Sequence, residues 1–314
     1  MKQLSLGVVI SSKQASRRLD QIIQSEIEKN LHVLVSRKRV KQWFQSQAIQ
    51  VTRDSKVIPS RSSSSLSPGI YRFDLFFPTL DWLQPRIAQA ASSCFLEILY
   101  ESSHLLVLNK PSGIHSQPID PHEKNTAVNA ALAHLPALES VGLDPLEPGL
   151  LHRLDSDTSG VLCFAKTKTM FDFLKTHWNR RRAPRVRKTY RAIVTASKKP
   201  KPQWIEKSLI AHQSSKKMNS SRAKAALPAL TQIVAVRSLE NQRYDLTLEI
   251  LTGVRHQIRA HLASLKMPVL GDSVYNGASY SRLCLHAWKL ELPLSKTSKK
   301  TVLIEAPLPK DWGV

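Results

Sequence analysis

Apolar residues recur at helical spacing at Leu19, Ile22, Ile23 and Ile27, and again at Val40, Trp43 and Phe44. Residues Ala15 to Ser46 therefore predict two helices, with Ser36 as the natural N-cap of the second. The basic run Arg37, Lys38, Arg39 and Lys41 falls on the first turns of that second helix. The opening residues hold a short apolar stretch with no small-x-small cleavage site before the basic run, and predict a short strand in place of an export signal. After Ala48–Val51 and the Ser-rich stretch SRSSSSLSPG, alternation over Ile70–Leu75 predicts a further strand and closes a small αβ module near Pro78.

From Thr79 to Ser93 no strand pattern emerges and Pro85 intervenes, which places a linker at residues 83–93 between a module of 1–82 and a larger domain of 94–314. Beyond it, strand patterns become frequent: Phe95–Tyr100, His104–Asn109, Val161–Ala165, Thr189–Thr195, Trp204–Ala211, Arg243–Leu251 and Thr301–Glu305. Helical patterns appear only around Asn125–His134, Thr169–Trp178 and Arg255–Leu265. These are too few and too unevenly spaced for a regular βαβ series, so the expected class is α+β with a mixed or antiparallel sheet.

Composition narrows the function. A chain of 314 residues suits about two domains. With 42% apolar residues but no long apolar run, neither a disordered chain nor a membrane-spanning helix fits, and a soluble protein with no membrane partner is expected. Lys and Arg total 46 against 24 Asp and Glu, a net charge of +22, which points to a polyanionic partner, nucleic acid first. Cys94, Cys163 and Cys284 are far apart and form no CxxC pair, so no disulfide framework or metal site is expected and a cytoplasmic location fits. Between Lys175 and Lys224 a single acid, Glu206, stands among many Lys and Arg, including Arg180, Arg181, Arg182, Arg187 and Lys188. Such a stretch repels itself unless a polyanion neutralises it, which favours a phosphate-contacting surface over a merely solvated loop. Trp178, Tyr190 and Trp204 interleave this charge, as bases to be stacked would require, although core positions on the adjacent elements suit them equally.

Two clusters carry residues suited to chemistry. The first, Pro148 to Gly160, brackets Asp155 in a polar loop ahead of the apolar run Val161–Ala165. Asp, Ser and Thr in such a loop commonly cap backbone groups. Arg153 two residues away, in so basic a protein, also makes Asp155 a candidate nucleophile or base toward an anionic ligand. The second cluster is Leu251 to Leu262, where Arg255 and Arg259 are expected to share an exposed helix face near an N-terminus that favours anions. His256 and His261 lack the intervening Glu of a zinc-protease helix. No GxxxxGK[ST], GxGxxG or GxSxG motif is present, which removes nucleotide-dependent and hydrolase readings as first choices.

His152–Gly160, HRLDSDTSG, resembles the HRLD-x-x-T-S-G motif of RluA-type pseudouridine synthases at every fixed position. Further blocks follow in family order: Asn109–Gly113 with His115, Lys188–Ala192, Thr252–Leu262 and Pro268–Asp272 with Tyr275. The N-terminal module resembles the S4-type RNA-binding domain through Arg18–Asp20, Ser36–Lys38 and Gln47–Val51, departing from it at Thr52–Asp54. The resemblance implies an RNA pseudouridine synthase needing no cofactor or metal, acting most naturally on large-subunit (23S) ribosomal RNA. A tRNA-directed synthase and a non-catalytic RNA-binding or ribosome-assembly factor are the alternatives. It further implies that Asp155 attacks the ribose or removes a sugar proton, that Arg259 pairs with it, that Arg153 enters the helix in place of a flipped uridine, and that Tyr190 stacks on the uracil. Arg37, Lys38, Arg180, Arg181, Arg182 and Arg255 would bind RNA, and a monomer is expected. Val254 stands where the family has Arg, so the phosphate contact from that position is lost or passes to Arg255.

Overall fold

The computed structural model describes residues 2–12, 14–31, 37–77, 88–91, 96–119, 123–142, 144–178, 186–211, 217–221, 223, 225–295 and 300–313. The chain divides into two compact units, 1–87 and 88–314. Much of the expected linker, Ser36, Cys94 and Arg180–Arg182 lie outside the described residues, as do the side chains of Arg37 and Lys38.

In the first unit the helical spacing translates into two helices, α1 (Leu19–Leu31) and α2 (Arg37–Gln45). They accompany an antiparallel sheet of β1 (Lys2–Ile10), β2 (Ile49–Arg53), β3 (Lys56–Ile58) and β4 (Gly69–Phe77), in the order β1-β4-β2-β3. Of the positions picked out by period, Leu19, Ile22, Ile23, Ile27, Val40 and Trp43 are buried in one cluster with Val51, Phe73 and Leu75, and Phe44 packs against it half-buried. Burial of that apolar stripe, at roughly 25 cal/mol per Å2, is what holds two short helices that would be marginal alone.

The second unit is built on a nine-stranded mixed sheet. Its strands are β5 (Glu97–Glu101), β6 (Leu105–Lys110), β7 (Ser159–Ala165), β8 (Arg187–Thr195), β9 (Gln203–Glu206), β12 (Leu230–Ser238), β13 (Arg243–Ile250), β14 (Leu285–Pro293) and β15 (Thr301–Glu305). The order runs β5-β6-β7-β14-β8-β13-β12-β9, with β15 also on β14. Among the described residues, β7–β14 is the one parallel strand pair of this sheet. A separate ribbon joins β10 (Leu209–Ala211) to β11 (Met218–Ser220). Among the described residues, three α-helices, α3 (Ala127–His134), α4 (Lys168–His177) and α5 (Gln257–Ser264), and a 3-10 turn over Pro136–Ser140 complete the unit, which has the expected α+β class. Residues 88–91, expected in the linker, are hydrogen-bonded into this unit: Ala88 N–H donates to Pro145 O and Asn129 Nδ2 to Gln89 O.

One sequence expectation fails here, and two strands of the sheet have no counterpart in the sequence pattern. Trp204–Ala211 is not one strand, because β9 pairs with β12 whereas Leu209 turns into the ribbon and buries beside Met218 and Tyr275. β12 and β14 carry no clean alternation. A bulge between Ile233 and Ala235 shifts the phase of β12, and central β14 is covered on both faces. The close passage of β7 along β14 needs Gly160, whose φ is +114° and where a Cβ would lie 2.1 Å from Ala287 O. Among the described residues no helix is long and apolar enough to cross a membrane.

Candidate active site

Asp155 sits in the loop that enters β7, and that loop is gripped by the turn Lys110–Gly113 after β6. Lys110 is fully buried, and its Nζ donates to the carbonyls of Pro111, Ile114 and Ser156 at 2.8, 2.8 and 2.9 Å. Oxygen ligation of this kind is what makes a buried ammonium tolerable. Gly113 N–H donates to Ser156 O and Ser112 Oγ to Asp157 O, while Ser116 Oγ both donates to Leu154 O and accepts from Leu154 N–H. Asp155 is thereby fixed from both sides.

The second motif approaches from α5. Gln257 accepts at Oε1 from Val254 N–H and Thr252 Oγ1, and donates through Nε2 to Leu230 O and Thr231 Oγ1. Buried His261 lies between Thr231 Oγ1 and Lys207 O. These two residues tie the helix to β12 and leave His256 and Arg259 for the site. Arg259 is 4% exposed. Its Nη1 donates to Asp155 Oδ2 at 3.3 Å, while Nε and Nη2 donate to the two oxygens of Asp272 at 2.7 and 2.8 Å. Burial pulls its pKa down, and the two carboxylates together outweigh burial and raise it. The expectation of Arg255 and Arg259 on one exposed face is therefore corrected: α5 begins at Gln257, and His256 before it is left-handed at φ +53°. Arg259 turns inward as Asp155's partner, and Arg255 lies exposed before the helix.

A cleft of about 620 Å3 opens over this group, lined among others by Arg153, Asp155, Lys188, Tyr190, Arg255, His256 and Arg259. Tyr190 is 7% exposed, and burial followed by the Asp155 charge pushes its phenol upward. Arg153 stands at the mouth, its side chain 64% exposed and 3.1 Å from Glu147. His152 also lines the cleft, stacking on Trp178 with ring centroids 4.8 Å apart and accepting from Cys163 N–H. Burial, then Lys188 and Lys175, hold it down to about 3.

Lys188 was expected among the phosphate-contacting charges, and this too is corrected. It is buried in the cleft wall, donates to Trp178 O and is pushed down to about 7 by burial. Trp178 and Tyr190 line the cleft, and of the three interleaved aromatics only Trp204 is on the surface, 51% exposed. Val254 packs against the Leu209–Met218–Tyr275 cluster, an apolar role in place of a phosphate contact. Asp272, Glu147 and His256 were not singled out from sequence. Asp272 had a readable signal in the Gly-Asp-x-x-Tyr block and His256 in the HQIR string, but nothing in the spacing of Glu147 tied it to the loop of Asp155.

Residues 104–264 match the family described as RNA pseudouridylate synthase. The chain belongs to that family. This RNA pseudouridine synthase is 34% identical over 244 residues to "Ribosomal large subunit pseudouridine synthase D" of Borreliella burgdorferi, covering 76% of this chain and 72% of the relative. It is 29% identical to the protein of the same name from Vibrio vulnificus over 99% of this chain and 93% of that one. The solved structure of human RNA Pseudouridylate Synthase Domain Containing 1 matches the synthase at a TM-score of 0.54 and 25% identity, covering 70% of this chain and 86% of the human one.

Proposed function

We propose that this synthase isomerises uridines of large-subunit ribosomal RNA, with Asp155 acting on the ribose of a uridine flipped into the cleft. The chain of contacts from Asp272 through Arg259 to Asp155 at the cleft floor carries this reading. A carboxylate oriented by a buried guanidinium is suited to attack a sugar carbon or take a sugar proton. The reaction detaches the base at N1 and rejoins it at C5, moving one proton from C5 to N1 and exchanging no electrons with a cofactor.

Buried Tyr190 offers a flat apolar wall against which a uracil can stack. Unstacking a base costs a few kcal/mol, and exposed Arg153 at the mouth is placed to fill the vacated stack. The ribosomal substrate follows from the names of the relatives and from the S4-type outline of residues 1–82, which we assign as an RNA-binding module. Arg255 at the cleft edge, Arg37 and Lys38 on α2, and Arg180–Arg182 would contact phosphate.

Mapping pseudouridine in total RNA from cells with and without the gene tests the substrate. Loss of one or a few sites confined to large-subunit ribosomal RNA is expected. Intact ribosomal sites with loss in tRNA would contradict it.

A further inference from the structure

One proton must leave C5 of the uracil, and few groups in the cleft are placed to take it. Lys188 Nζ is engaged with backbone carbonyls, and Glu147 is engaged with Arg153. Tyr190 is pushed upward by burial and by Asp155, so its phenolate is inaccessible near neutral pH. His152 Nε2 already accepts from Cys163 N–H.

His256 differs from all of these. Its side chain is 14% exposed, and Nε2 stands 4.0 Å from Asp155 Oδ2. Nδ1 lies 3.3 Å from the Tyr275 hydroxyl, which also receives Met218 N–H at 2.7 Å. With Nδ1–H donating to that oxygen, the Nε2 lone pair faces the reacting atoms. The ring is aimed by backbone held at φ +53°, a conformation rare outside glycine that concentrates at functional sites.

We propose that His256 is the base that takes the C5 proton. This rests on the reading that Asp155 acts on the ribose, since it puts the uridine's C1′ beside that carboxylate. Once the N1–C1′ bond has broken, its electron pair stays on the uracil and C1′ is held by Asp155. The turned ring then forms the C5–C1′ bond as the bond from C1′ to the Asp155 oxygen breaks, Nε2 removes the C5 proton, the pair left behind restores the ring, and N1 takes a proton from solvent. The imidazolium that forms is steadied by Asp155 and returns its proton to water.

The charges facing the ring are Asp155, Arg259, Arg255 and Asp272, with the Tyr275 hydroxyl on its other nitrogen. Burial lowers the His256 pKa, Asp155 opposes, and Arg259 and Arg255 add to the lowering, so the ring is neutral and basic at physiological pH. Activity should fall as pH drops through that depressed value.

The test is His256→Gln, since Gln47 and Gln242 already hold φ of 57° and 55° in this chain. RNA from cells lacking the gene, carrying hydrogen or deuterium at C5 of uridine, serves as substrate. His256→Gln is expected to lower kcat about 100-fold, the upper-middle range for a proton-transfer group, with KM little changed. The deuterium isotope effect should rise above that of wild type, and the acid limb of the pH profile should vanish. His256→Asn, which also tolerates positive φ, should behave alike. A kcat within about twofold of wild type, or a fall without a larger isotope effect, overturns the proposal and returns the C5 proton to Asp155. Activity in Asp155→Asn would instead overturn the reading beneath it.

Discussion

Asp272 holds Arg259 with both carboxylate oxygens, at 2.7 and 2.8 Å, and so leaves Nη1 to reach Asp155 at 3.3 Å. Asp272 is itself anchored by the backbone N–H groups of Val274 and Tyr275, each at 3.1 Å. The orientation of Asp155 is therefore set two contacts away, by a residue that does not line the cleft.

Replacing Asp272 by Asn keeps the shape but strips Arg259 of a buried counter-charge. Breaking a buried ion pair costs about 3–5 kcal/mol. We expect a clear drop in Tm together with a roughly 10- to 100-fold loss of turnover from misplacement of the Asp155 partner. Thermal melts and single-turnover rates on the same sample check both. Unchanged turnover would mean that Arg259 does not orient Asp155.

His152 gives a stability signature in acid. Its pKa falls from an ordinary 6.5 to about 3, first through burial and then through Lys188 and Lys175. The unfolded chain therefore binds a proton between these values that the folded one does not, and stability is complete above about 6.5 and lost as pH falls toward 3. His286, held down to about 4, adds to the same window. His152→Gln should lose less Tm than wild type between pH 6.5 and pH 4, measured by melting curves at matched ionic strength. Parallel losses would show that His152 is not buried as a neutral ring.

Much of the site is legible in the sequence because its motifs are short and local. HRLDSDTSG places Asp155 in a loop ahead of a buried strand, and the HQIR string sets Arg259 within reach on a helix. What local pattern cannot show is the pairing of distant carbonyls. Lys188 reads as one more cation of a phosphate-contacting stretch, yet folding closes backbone oxygens around it, as it does around Lys110. Likewise the exposed face expected for Arg255 and Arg259 presumes a helix beginning at Arg255, whereas the left-handed turn at His256 starts it later. Strand β14 was missed for a related reason, since a central strand covered on both faces loses its period of two.

The stretch from Lys175 to Lys224 still carries a steep excess of Lys and Arg once buried Lys188 is set aside. Each cation that neutralises a phosphate releases counterions, so the slope of log affinity against log salt should shrink by roughly one unit per contact removed. Replacing Arg180, Arg181 and Arg182 by Ala should flatten that slope and weaken cognate and unrelated RNA alike. Filter-binding titrations across a salt series check this, and an unchanged slope would make the cluster a solvated face.

In the function proposed for this synthase Asp155 serves the chemistry and not the binding, and Asp155→Asn separates the two. Pseudouridine formed in a single turnover, quantified on RNA from cells lacking the gene, should vanish in the variant while RNA affinity stays within about threefold of wild type. Pseudouridine appearing at the wild-type rate would contradict the account.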